Sequence, residues 1–163
     1  MEYGRFGDTV LLRIDRGEEI IETVKRVAEK ERIRLASVEA LGAVDDFTVG
    51  VYDVAAKRYD SKTFTGAFEI VSLVGTITEK DGAFYQHLHM SAGNRDCEVF
   101  GGHLLMRVYV ETTGDHDFNK LSQRIAEAFK SRIGFTPIVK AVEIGVLPRS
   151  TKKTARVIDE RYD

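Results

Sequence analysis

The stretch from Gly66 to Val110 constrains the fold more than any other part of the chain. Gly66-Ala67-Phe68-Glu69-Ile70-Val71-Ser72-Leu73-Val74-Gly75-Thr76-Ile77 has apolar residues on both parities, the pattern of a central strand covered on both faces. Lys80-Asp81-Gly82 follows, and an Asp-Gly pair between extended runs is a strong hairpin signal. Phe84-Tyr85-Gln86-His87-Leu88-His89-Met90 then alternates like a strand, placing His87 and His89 on one face and Phe84, Leu88 and Met90 on the other. Further on, Gly101-Gly102-His103 opens a second alternating run in which Leu104, Met106, Val108 and Val110 share a face. If that run returns antiparallel beside the first, three imidazoles converge. A slip of one residue would send His103 to the wrong side.

The remaining elements are expected around this centre. Asp8 to Ile14 reads as a strand, and Asp15 precedes Glu18 by the spacing of a capping box. Ile20, Ile21, Val24, Val27 and Ala28 then form one helical stripe, with Glu18, Glu19 and Glu22 early and Lys25, Arg26 and Lys30 late, as the helix dipole favours. Leu35 to Val44 is extended, Phe47, Val49 and Val51 alternate with Thr48, Gly50 and Tyr52, and Tyr59 to Thr65 is a further short alternating stretch. Asp117 to Lys130 is predicted as a second helix on Leu121, Ile125, Ala128 and Phe129, and Ile138 to Leu147 as a last strand ended by Pro148.

Together these make an α+β fold: a single domain with a largely antiparallel β-sheet and two main helices. Its expected limits are residues 1–148, with 149–163 as a basic and polar tail carrying Arg149, Lys152, Lys153 and Arg156. At 163 residues the chain suits one domain, and 43% hydrophobic with 31% charged residues argues against disorder. One sheet face wants helices and the other a second sheet or another subunit, so oligomerisation is expected. The formal net charge of −2 offers nucleic acid no global attraction, so any DNA contact needs a local basic patch. Cys97 is the single cysteine, which excludes an internal disulfide and suits a reducing cytoplasm. Neither a signal-peptide pattern nor an apolar run of membrane-spanning length is present, so no membrane contact is expected.

Zinc binds imidazole nitrogen, and catalytic zinc sites combine three protein ligands with one open position. His87, His89 and His103 are therefore the candidate metal ligands. Gly101 and Gly102 would let the chain turn tightly into His103 and keep bulk away from an ion. Asp96, Glu98, Glu39 and Glu143 are candidates to orient the imidazole N–H groups, although surface charge is the simpler reading of each. Cys97 reads as inert core rather than a ligand. Ser91 shares the parity of the histidines and could hydrogen-bond near an ion, but no nucleophile elbow surrounds it. His116, in Gly114-Asp115-His116-Asp117, reads as a surface residue and is left out of the site.

The segments Gly66 to Gly75, His87-Leu88-His89-Met90-Ser91 and Val99-Phe100-Gly101-Gly102-His103-Leu104, in that order, resemble the PPC (plants and prokaryotes conserved) domain. The resemblance runs from the first strand to the last. It implies an α+β fold, a homotrimer, and a metal, zinc foremost, on His87, His89 and His103 in the manner of stand-alone prokaryotic members. In plants the domain follows AT-hook segments in DNA-associated regulatory proteins. This chain departs from the plant motif Gly-Arg-Phe-Glu-Ile-Leu by carrying Ala67 and Val71 at the arginine and leucine positions. The Arg-Gly-Arg core of an AT-hook is absent, so minor-groove binding through it does not carry over. The leading expectation is a trimeric zinc-binding protein with a DNA-associated or regulatory role. The alternative is a zinc-dependent hydrolase or lyase acting on a small polar substrate, with no catalytic residue named; a purely structural metal is the third reading.

Overall fold

The computed structural model describes residues 1–114, 117–133 and 137–147. The chain opens with a hairpin of β1 (Glu2–Phe6) and β2 (Thr9–Arg13), paired antiparallel and turning at Gly7, whose φ of 63° suits a residue without Cβ. α1 spans Ile20–Glu31 and carries the expected stripe. Its start lies later than the capping box implied. The Glu19 carboxylate accepts from Glu22 N at 2.6 Å, whereas Asp15 and Glu18 only close a preceding turn. Gly17, at φ 85°, keeps that turn out of the helix. The helix ends at Arg32 in the left-handed region, where Ile33 N reaches back to Ala28 O at 2.8 Å.

A barrel follows. β3 (Ala36–Asp53) and β4 (Arg58–Lys80) form one long hairpin, β5 (Ala83–Gly93) pairs with β4, and β6 (Val99–Leu104) pairs with both β5 and β3 to close the ring. The separate extended stretches read from the sequence are thus parts of two continuous strands. Bulges between Ala40 and Gly42, Val44 and Asp46, and Ile70 and Ser72 bend these strands enough to close. The turn into β5 holds both Asp81 (φ 54°) and Gly82 (φ 78°) at positive φ, the signature of a tight two-residue hairpin.

The barrel interior holds Phe47, Val49, Leu73, Leu88, Met90 and Leu104, and α1 inserts Ile21 into this cluster. Phe64 stacks on Phe47 at 5.2 Å and on Phe100 at 4.6 Å. Along β5 the buried residues Leu88, Met90 and Ala92 alternate with more exposed ones, whereas in β3 the run Phe47 to Gly50 is buried throughout. Burying the inner set of β5 therefore fixes which of its side chains face out.

Leu104 to Val110 is not one strand. After β6 the chain leaves the barrel and starts β7 (Arg107–Thr112), which pairs in parallel with β8 (Ile138–Glu143) across α2 (Phe118–Ile133). Ser122 ties α2 to β8, accepting from Ala141 N at 2.9 Å. An Arg107–Asp46 ion pair and the Leu105 N to Thr48 O bond hold this βαβ unit to the barrel. The domain limit expected at residue 148, the tail 149–163 and His116 lie outside the described residues. Within them, no helix is long and apolar enough to cross a membrane.

Candidate metal centre

The register of β5 and β6 makes the site. His89 stands directly opposite His103, and Val74 of β4 pairs with His89 on its other side. Thr76 is likewise paired with His87, and Gly50 of β3 with His103. Leu88 (0% exposed) and Met90 (2%) bury the opposite parity, so His87 and His89 must face outward. The three imidazoles meet with centroids 5.1 to 5.4 Å apart, and their candidate ligand atoms all lie within 4.8 Å of one another. His87 Nε2 and His89 Nε2 are 3.3 Å apart. Among the described residues this donor group contains no thiol and no carboxylate.

Electrostatics keep the cluster ready for a cation. Burial, followed by the neighbouring charges of His87 and His89, lowers the pKa of His103 to about 4, so its ring is neutral at physiological pH. His103 Nδ1 is buried with no hydrogen-bond partner among the described residues, which is unusual for a buried ring nitrogen. An unpartnered ring nitrogen and three convergent imidazoles fit an imidazole-binding divalent cation. Nitrogens bound at about 2.0–2.1 Å stand roughly 3.4 Å apart in a tetrahedron, so modest ring rotations would complete the set.

The glycines act differently from expectation. Gly101 and Gly102 lie within β6, not in a turn. A Cβ on Gly101 would meet Met90 O at 2.8 Å, and one on Gly102 would meet Gly50 O at 2.8 Å. Bare backbone at both positions lets β5 and β3 close on the strand that carries His103.

The proposed orienting acids are elsewhere. Glu98 accepts from Asn94 Nδ2 at 2.9 Å in the turn before β6, and Asp96 N binds Asn94 Oδ1 in the same turn. Glu39 pairs with Val74, which separates it from His89 by a strand. Glu143 ends β8 in the other sheet. Cys97 is exposed at φ 60° rather than buried in a core. Ser91 faces Gly101, two pairs beyond His89 and His103. What the sequence reading missed is Tyr59, whose ring stacks on His103 at 5.1 Å with a 28° interplanar angle. The register pairing of Tyr52 with Tyr59 explains that placement, and no spacing rule in the sequence announces it.

An antiparallel barrel with three histidines on its outer face defines a class of protein. Residues 1–115 match the model of the Plants and Prokaryotes Conserved (PCC) domain, and the chain belongs to that family. The match runs past the barrel and β7 and ends before α2, so the likeness to this family model does not run to the last strand. Residues 102–161, which include the βαβ unit, are instead similar to the AMP-binding enzyme C-terminal domain. Among solved structures, a protein of Bacteroides thetaiotaomicron provisionally assigned as DNA-binding is 30% identical, with a TM-score of 0.62 over 64% of this chain and 73% of that one. A plant- and prokaryote-conserved protein of Pyrococcus horikoshii is 34% identical, with a TM-score of 0.57 over 63% and 70%. A metal-containing protein of Archaeoglobus fulgidus is 36% identical, with a TM-score of 0.56 over 64% and 71%. No curated protein matches the chain.

Proposed function

We propose that the chain binds zinc through His87, His89 and His103 and acts as a homotrimer in a DNA-associated or regulatory role. The observation that carries the metal part is the convergence of three imidazoles within 4.8 Å on an outward face. The metal-containing relative from Archaeoglobus fulgidus supports it. Three neutral ligands leave a bound zinc its full double charge and an acceptor position for a further ligand. Exposed Val71, Val74, Val99 and Leu41 offer apolar surface of the kind that subunits cover, which supports self-association. Sedimentation of the purified chain tests the trimer, and a monomer at micromolar concentration contradicts it.

The DNA part draws on the provisional assignment of the Bacteroides relative. The net charge of −2 works against it. Electrophoretic titration at several salt concentrations decides: binding that weakens steeply with salt supports it, and none at micromolar protein removes it.

A second reading, a zinc-dependent hydrolase or lyase, is favoured by the exposure of His87 and His89, which leaves small molecules room to reach the site. A turnover lost on chelation and restored by zinc, with the oligomer intact throughout, supports it. For the β7–α2–β8 unit, the likeness of residues 102–161 to an AMP-binding enzyme domain suggests an adenylate-related role separate from the histidines. Nuclear magnetic resonance shifts confined to residues 107–147 on adding AMP would support that role, and no shifts would contradict it.

A further inference from the structure

The outward face of the barrel carries aromatic surface that its own packing does not use. Tyr59 stacks on His103, and Tyr52 packs against Tyr59 with ring centroids 5.1 Å apart. Tyr85 stands two positions before His87, on the same face of β5. The barrel core is filled by other rings, Phe47, Phe64, Phe68 and Phe100, so these tyrosines are not needed there. Tyr59 is 37% exposed and Tyr52 47%, and on another side of the histidines Val74 is 45% exposed. The histidine cluster is thus flanked by exposed tyrosine rings on one side and by exposed Val74 on another.

Charge sets the other half of the recognition. With no carboxylate in the donor group, nothing in it neutralises a bound cation, so the remaining coordination position favours an anion.

We propose that the three-histidine site takes a small carboxylate bearing a flat apolar group, its carboxylate at the cation and its flat group against Tyr59 and Tyr52. This rests on the metal-binding reading above and adds the class of ligand.

Cobalt(II) loaded into the full chain reports both through its visible absorption. Benzoate is expected to perturb the spectrum with roughly tenfold higher affinity than acetate, the size of one aromatic contact, and neutral benzamide to leave it unchanged. Tyr59→Ala should bring benzoate to within about twofold of acetate, both affinities being measured on the cobalt-loaded fraction, and Tyr59→Phe should keep the preference. If Tyr59→Ala loses cobalt, Tyr52→Ala decides, with an expected loss of about threefold in the benzoate preference. Equal affinities for benzoate and acetate in the cobalt-loaded parent overturn the ligand class alone. So does a preference untouched by Tyr59→Ala or, where that variant cannot hold cobalt, by Tyr52→Ala. A chain that binds no cobalt overturns the metal reading and this proposal with it.

Discussion

A Cβ on Gly75 would run into the backbone carbonyl of His87 and stand 2.9 Å from Leu88 Cα. Gly75 of β4 therefore sets how closely the histidine strand can lie against its neighbour. Tight packing there fixes the outward pitch of His87 as surely as the ring contacts do.

Gly75→Ala is expected to push β5 away and cost about 1–3 kcal/mol, the usual range for an overpacked site. Denaturant midpoints measure the stability loss, and zinc titration should show weakened binding in the same variant. Unchanged stability and unchanged zinc affinity would contradict this role.

Each of His87→Ala, His89→Ala and His103→Ala removes one of three donors and should weaken zinc binding by roughly two orders of magnitude, beyond the usual effect of losing an orienting group. His103→Ala should be the most disruptive to folding, since its ring is the one packed under Tyr59 and partly buried. Competition with a chromophoric chelator measures affinity, and circular dichroism measures folding.

The metal-free protein should lose stability on mild acidification. The folded state holds His103 at a pKa of about 4, against an ordinary value of 6.5, so the unfolded chain binds the proton more readily. The contribution of the neutral ring is complete above pH 6.5 and is lost progressively as pH falls toward about 4. Nuclear magnetic resonance titration of the His103 ring tests this directly, with a midpoint near 6.5 as the contrary result.

Leu88, fully buried between His87 and His89 in sequence, anchors the inner face of their strand. Leu88→Ala should destabilise the fold by about 2–5 kcal/mol through lost burial and the cavity left behind. Thermal unfolding checks it. The zinc site should survive in the folded fraction because the ring positions depend on parity, which the substitution keeps.

How far the sequence could be read follows from the range of each signal. The Asp81-Gly82 turn and the alternation around His87 are local, and both are found where they were expected. The pairing of His89 with His103 could be anticipated only conditionally, because register depends on what the buried parity packs against. Barrel closure was not legible: it rests on bulges near Gly42, Asp46 and Ser72 and on the return of β3 to β6, which no local pattern marks. The short β1 strand was missed for lack of a clear apolar alternation. Leu104 to Val110 kept one alternation across Leu105 and Met106, so the change of sheet left no trace in the period. Tyr59 came to His103 through long-range pairing with Tyr52.

Zinc-edge X-ray absorption on the purified full chain, with metal quantified in the same sample, tests the centre of the account. About one zinc per chain is expected, with a shell dominated by three imidazole nitrogens at about 2.0–2.1 Å that disappears in the His87→Ala/His89→Ala/His103→Ala variant. A chain that takes up no zinc from excess, or a zinc shell left intact in that triple variant, would contradict it.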